Sequence, residues 1–231
     1  MTAIDHILAA VLAAACVSQL FVTIDPERST RLGFYGTGVS TAVLFGGLPL
    51  LAWWAAGRPL RAFGRHDWAG GPDAVLWAGL WTAALLILVL LVRRGALRLW
   101  LVSLYRAYAW IMPRTRAELA ASWVTSLAAG FGEEIAFRGF LLWYAAAVLG
   151  TPGGLVVTGL LFGCAHSYQR LRGMIWAALA GIVLGLAYLA SGSLLLVILL
   201  HASWNVASFS IGYIVLGGAE RSTGEPARLP L

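Results

Sequence analysis

The 231-residue sequence contains no lysine, only two cysteines and only 11% charged residues. Soluble domains carry about 25% charge, so a chain this poor in charge and 60% hydrophobic has too little polar surface to dissolve. Linkers, low-complexity tracts and internal repeats are missing as well, which argues against an array of soluble modules. One membrane domain spanning residues 1–231 is the economical reading. The two cysteines, Cys16 and Cys164, both fall inside apolar runs, where they read as small core residues and not as a disulfide or metal pair.

What the chain does have is arginine, 16 in all, with a net charge of +6. Most of these sit in short gaps between apolar runs, so the positive charge reports membrane topology and no nucleic-acid partner is expected. In lipid, only helices and closed barrels satisfy the backbone, and these long unalternating runs are too apolar for barrel strands. The expected fold is therefore all-α, a polytopic transmembrane helical bundle. Spans are expected near 7–24, 34–56, 74–92, 117–149 (long, broken or tilted), 153–167, 174–190 and 194–215. Residues 1–24 lack a basic n-region and read as a retained first helix. Thr115 and Glu118 offer a capping box for the fourth helix, with Pro113 ahead of its start.

Seven crossings with the N-terminus outside give a strong charge bias. Arg28, Arg31, Arg93, Arg94, Arg98, Arg106, Arg114, Arg116, Arg170, Arg172, Arg221 and Arg228 then lie inside, against Arg58, Arg61 and Arg65 outside. The segment 97–112 mixes Arg with Trp and Tyr as an interfacial helix would; were it to cross, the count would become eight and the N-terminus would move inside.

Ionisable groups inside a membrane cost roughly 2.5–3.5 kcal/mol each, which makes each one a functional hypothesis. In the last four spans they form three helix-spaced sets. Glu133, Glu134 and Arg138 come first: Glu134 and Arg138 are four residues apart and can pair, while Glu133 points about 100° away and is left free to act as a general base. The competing reading is a buried salt-bridge lock. Phe162 and His166 share a face of the next span, where a lone His is more often an interhelical hydrogen-bonding residue. His201 and Asn205 repeat the spacing on the last helix, either as donors to an oxyanion or as interhelical glue. By helix rise, Glu133 lies about 22 Å from the inside start of its helix, and His201 and Asn205 about 10 and 16 Å from the outside start of theirs, so they can share a level. His166, about 20 Å from the outside, falls roughly one turn further in.

Glu-Glu-x-x-x-Arg at 133–138, Phe-x-x-x-His at 162–166 and His-x-x-x-Asn at 201–205, in that order on successive helices, resemble the three motifs of the CPBP family of intramembrane proteases. That family includes the Ras-converting CAAX endopeptidases and bacterial "Abi" or bacteriocin-processing relatives. The resemblance covers about 113–210, taken as the catalytic core. It implies that Glu133 activates water with help from His166, that His201 and Asn205 stabilise the oxyanion, and that Glu134, Arg138 and Phe162 support the site. The implied activity is an intramembrane endopeptidase acting on a membrane-associated peptide or protein, such as a processed precursor or a C-terminal sorting tail. No cofactor is expected. Zinc on Glu133, His166 and His201 is disfavoured, because it would consume the base as a ligand and no His-Glu-x-x-His helix is present.

Other chemistries find little support. Ser191-Gly192-Ser193 lacks the leading Gly of a rhomboid-type serine site, and the four aspartates (Asp5, Asp25, Asp67 and Asp73) lie at or beyond span ends, which argues against an aspartyl site. Gly36-Thr37-Gly38 follows no strand and is no nucleotide loop. The alternative from another class is a non-hydrolytic scaffold or regulator of the same fold. The use of Arg in place of Lys points to a multi-pass protein of a bacterial inner membrane.

Overall fold

The computed structural model describes residues 1–22, 24–25, 29–63, 71–92 and 95–223, and its regular structure is entirely helical. The helices are α1 (Ala3–Ser18), α2 (Arg31–Ala55), α3 (Pro72–Leu91), α4 (Gly95–Arg106), α5 (Arg116–Glu134), α6 (Leu142–Ala165), α7 (Arg170–Ser191) and α8 (Leu194–Thr223). A π-helical segment, Ile135–Leu141, joins α5 to α6 without a break.

Six stretches among the described residues are long and apolar enough to cross a membrane, and one of them, Arg116–Ala165, runs for 50 residues. That length is more than twice what a bilayer needs. It is divided at Gly150, whose φ of 74° and ψ of 163° are open to glycine and strained for other residues. Past this point the chain reverses. Phe137 packs edge-on against Phe162 with ring centroids 5.0 Å apart, and the Cα of Gly154 faces the backbone of Ala146, pairings that only an antiparallel hairpin centred near 150 allows. Gly150 thus turns six stretches into seven crossings. Helix α4, at 12 residues, spans about 18 Å and is too short to be an eighth. It packs along α8, burying Leu101 with Ile211 and Val215 and joining Tyr105 to Ser208 by a 3.0 Å hydrogen bond.

The first and last helices differ most from the sequence-based spans: α1 begins at Ala3, and α8 continues to Thr223. The capping box forms as expected, with the Glu118 amide donating to Thr115 Oγ1 (3.1 Å) and the Thr115 amide to Glu118 Oε2 (3.2 Å).

Contacts between the connecting segments sort into two groups, as alternating crossings require. At one end, Ser167 Oγ donates to the Gln19 carbonyl (2.6 Å), Arg31 donates to the Ala109 carbonyl (3.3 Å) and pairs with Glu118 at 3.9 Å, and Phe34 contacts both Trp110 and Tyr168. These are the ends that the arginine count puts inside. At the other, Arg58 binds buried Asp5 through two hydrogen bonds (2.9 and 2.6 Å), stacked by Trp53 and Trp143, and His6 meets Tyr144 at 2.7 Å. Arg28, Arg65, Arg93, Arg94 and Arg228 lie outside the described residues, as do the side chains of Arg61 and Arg221. The orientation itself rests on the arginine bias, and it is checked by labelling: a cysteine at exposed Ser103 in α4 is expected to react with an impermeant maleimide added from the cytoplasmic side only. Reaction from the opposite side would invert every element.

Small residues bring the central helices close. Helix α2 crosses α5 so tightly that a Cβ on Gly132 would run into the Ala42 carbonyl oxygen, a clash between two backbones with no flexible side chain to yield. Gly130 likewise faces the backbone of Ala202 on α8. Close approach through small residues is the usual means of helix association where lipid supplies no hydrophobic drive. Gly132→Ala is therefore expected to destabilise the protein by about 1–3 kcal/mol in a thermal or denaturant melt, because overpacking at a rigid contact has to displace α2.

Candidate active site

Gly132 and Gly130 lie beside the acidic pair, so the contacts that set the spacing of α2, α5 and α8 also place the polar groups. Glu134 is fully buried, with Arg138 and His201 almost as completely enclosed. Arg138 Nη1 donates to Glu134 Oε1 at 2.7 Å, one turn along. His201 Nδ1, from α8, reaches the same oxygen at 2.7 Å. Arg138 Nη2 donates to the Gly181 carbonyl of α7 at 2.8 Å, and its guanidinium lies 4.8 Å from the centre of the Phe162 ring on α6. One ion pair therefore ties together the α5–π segment, α6, α7 and α8. Arg138 belongs to the π-helical segment, a rare geometry that often marks a functional site.

Glu133 stands apart from this lock. Its side chain is 24% exposed, against none for Glu134, and its Oε2 is 4.0 Å from His201 Nε2. Both Glu133 Oε2 and Glu134 Oε2 are buried oxygens without a hydrogen-bond partner. His201 thus sits between the carboxylates, with Nδ1 held by Glu134 and Nε2 turned toward Glu133. A carboxylate on one ring nitrogen fixes the tautomer and orientation of the other.

His166 ends α6. Its Nδ1 lies 2.8 Å from the Phe162 carbonyl, and its ring is packed on Phe162 with centroids 4.5 Å apart. Phe162 also contacts the rings of His201 (5.7 Å) and Phe137, so one aromatic side chain separates and positions both imidazoles and the guanidinium. Asn205 is half-buried one turn beyond His201 on the same face of α8, and its carboxamide has no protein partner among the described residues.

The structure therefore brings Glu133, Glu134, Arg138, Phe162, His166 and His201 into one cluster, with Asn205 on its α8 wall. Among the described residues, no three His, Cys, Asp or Glu side chains converge as metal ligands, and the set Glu133, His166 and His201 is not gathered in that way. Cys16 and Cys164 are free thiols. Sequence reasoning missed the bond from Glu134 to His201, the Gly181 carbonyl as a partner of Arg138, and the π segment. Spacing within one helix finds only local partners, and none of these three features leaves such a signal.

Buried charge, two oriented imidazoles and partnerless carboxylate oxygens thus meet inside a multi-pass bundle. Residues 115–207 match the family model described as type II CAAX prenyl endopeptidase, Rce1-like. All three motifs fall inside this segment, whose match is consistent with the CAAX protease family and supports intramembrane protease activity in general. No curated protein and no solved structure matches the chain.

Proposed function

We propose that the chain is an intramembrane endopeptidase in which Glu133 takes a proton from water and the resulting hydroxide attacks a peptide carbonyl. The observation carrying this reading is the division of labour between adjacent acids: fully buried Glu134 holds both Arg138 and His201 on its Oε1, while Glu133 is partly exposed, is not paired with the arginine and turns Oε2 toward His201 Nε2. A carboxylate that is partly exposed and not neutralised by the arginine can accept a proton; the one locked in the ion pair serves to hold geometry.

In this reading His166 shares the water with Glu133, its ring held by Phe162. His201, protonated on both ring nitrogens so that Nδ1–H donates to Glu134 and Nε2–H is left for the substrate, and Asn205, one turn along α8, donate to the oxygen that becomes negative in the tetrahedral intermediate. Glu134 keeps the His201 ring turned into the site. The proton taken by Glu133 is then delivered to the leaving amine, which closes the cycle without a metal. The substrate is a membrane-associated peptide or protein; prenylated CAAX ends, precursor peptides and C-terminal sorting tails all present an extended segment next to an apolar anchor. A bacterial inner membrane, as the arginine usage suggests, favours the latter two.

Removing one oxyanion donor while leaving the base intact tests the scheme. Asn205→Ala is expected to lower kcat by about 10²–10³-fold with KM little changed, since the carboxamide acts on charge that develops only in the transition state. An equal loss carried entirely in KM would show that Asn205 binds substrate instead.

A further inference from the structure

We infer that Tyr168 is a positioning residue for His166, held against the imidazole by a strained turn; this rests on the role proposed above for His166. His166 occupies the C-terminal cap of α6, where the helix holds it by one turn only, through the Phe162 carbonyl 2.8 Å from Nδ1 and the Phe162 ring. The Phe162 ring packs on the imidazole with centroids 4.5 Å apart. Tyr168, from outside the helix, is a second aromatic neighbour, 5.7 Å away between centroids and tilted by 34°. Together the two aromatic rings leave the imidazole a narrow range of orientations.

Tyr168 is itself fixed from three directions. Phe34 of α2 packs edge-on against it at 5.4 Å. Gln169 Nε2 donates to its hydroxyl at 3.1 Å, and the Gln169 side chain lies so close over Gly173 that a Cβ there would collide with Gln169 Cβ. The preceding residue, Ser167, anchors the short 3₁₀ turn to the end of α1 through its bond to the Gln19 carbonyl.

The turn closes at Arg170, with φ 62° and ψ 178°, the one non-glycine residue at positive φ among the described residues. Such a conformation costs of order 1–3 kcal/mol and persists only where surrounding structure over-determines it; outliers of this kind cluster at functional sites. A glycine at 170 would relieve the strain. The tight passage from α6 into α7 is what directs Tyr168 back over His166 instead of away from it, so strain in the turn and orientation of the ring are one feature.

The test uses the purified full-length protein in detergent, with ring resonances of the four histidines followed by NMR and His166 assigned by its loss in His166→Gln. Tyr168→Phe is expected to leave the His166 resonance in place, whereas Tyr168→Ala and Tyr168→Leu shift and broaden it while His201 stays unchanged. With an internally quenched peptide that carries an apolar C-terminal anchor, as a sorting tail does, as probe, the two non-aromatic variants are expected to lose about 10²-fold in kcat, the cost of a misplaced reacting group, with KM within about two-fold. Tyr168→Phe restores the rate. An unmoved His166 resonance in Tyr168→Ala overturns the inference, as does an equal shift of His166 and His201, which would mean general loosening. His166→Ala cleaving at the wild-type rate would instead overturn the role of His166 while leaving the resonance result standing.

Discussion

Glu133→Gln is expected to abolish cleavage, by roughly 10⁴-fold, the upper end for loss of a general base, while leaving the melting temperature within about 2 °C of wild type. The substitution keeps the shape of the side chain and removes its capacity to accept a proton. Little stability should be lost, because Glu133 is partly exposed and its Oε2 stands 4.0 Å from His201 Nε2, beyond hydrogen-bonding distance. His166→Ala and His201→Ala are expected to be inactive as well. The comparison is made by following new peptide termini in membranes from cells producing each variant. Wild-type cleavage by Glu133→Gln would remove Glu133 from the mechanism and hand the role of base to another group of the site, whereas a wild type that cleaves nothing would favour a scaffold that retains the fold without hydrolysis.

Glu134→Gln and Arg138→Ala should fail in another way. Each leaves the other member of a buried pair uncompensated, at a cost of about 3–5 kcal/mol. For a chain of this length that corresponds to a melting temperature lower by about 10 °C, or to poor insertion and low yield. The structure makes the expected loss larger than that of an ordinary helix-surface pair, because Arg138 also binds the Gly181 carbonyl and stacks on Phe162 while Glu134 holds His201. Four helices therefore lose their common tie at once. Equal destabilisation by Glu133→Gln, Glu134→Gln and Arg138→Ala in detergent melts would recast all three residues as one structural triad.

These two outcomes separate because neighbouring residues of one type occupy different environments, and that difference was partly legible in the sequence. Four-residue spacing is enough to pair Glu134 with Arg138 and to turn Glu133 away, since helix geometry is local and periodic. Hydropathy alone located the helices, for lipid leaves the backbone no other way to satisfy its hydrogen bonds across such runs. Residues 151–165 read as a separate crossing because Gly150-Thr151-Pro152-Gly153-Gly154 is turn chemistry, and the left-handed glycine at 150 shows why. The ordered motifs also pointed to the family before any geometry was known.

Tertiary structure decided the rest. Which atom Glu134 shares with His201, 67 residues away, depends on α5 and α8 meeting at Gly130 and Ala202, and no local pattern encodes that meeting. The same holds for the Arg138 bond to Gly181 and for Tyr168, two residues past a recognised histidine, whose part depends on Phe34 arriving from the far end of the chain. Sequence determines which groups are costly enough to need partners; packing of helices through small residues determines which partners they find, because only contact distance turns a buried charge into a held one.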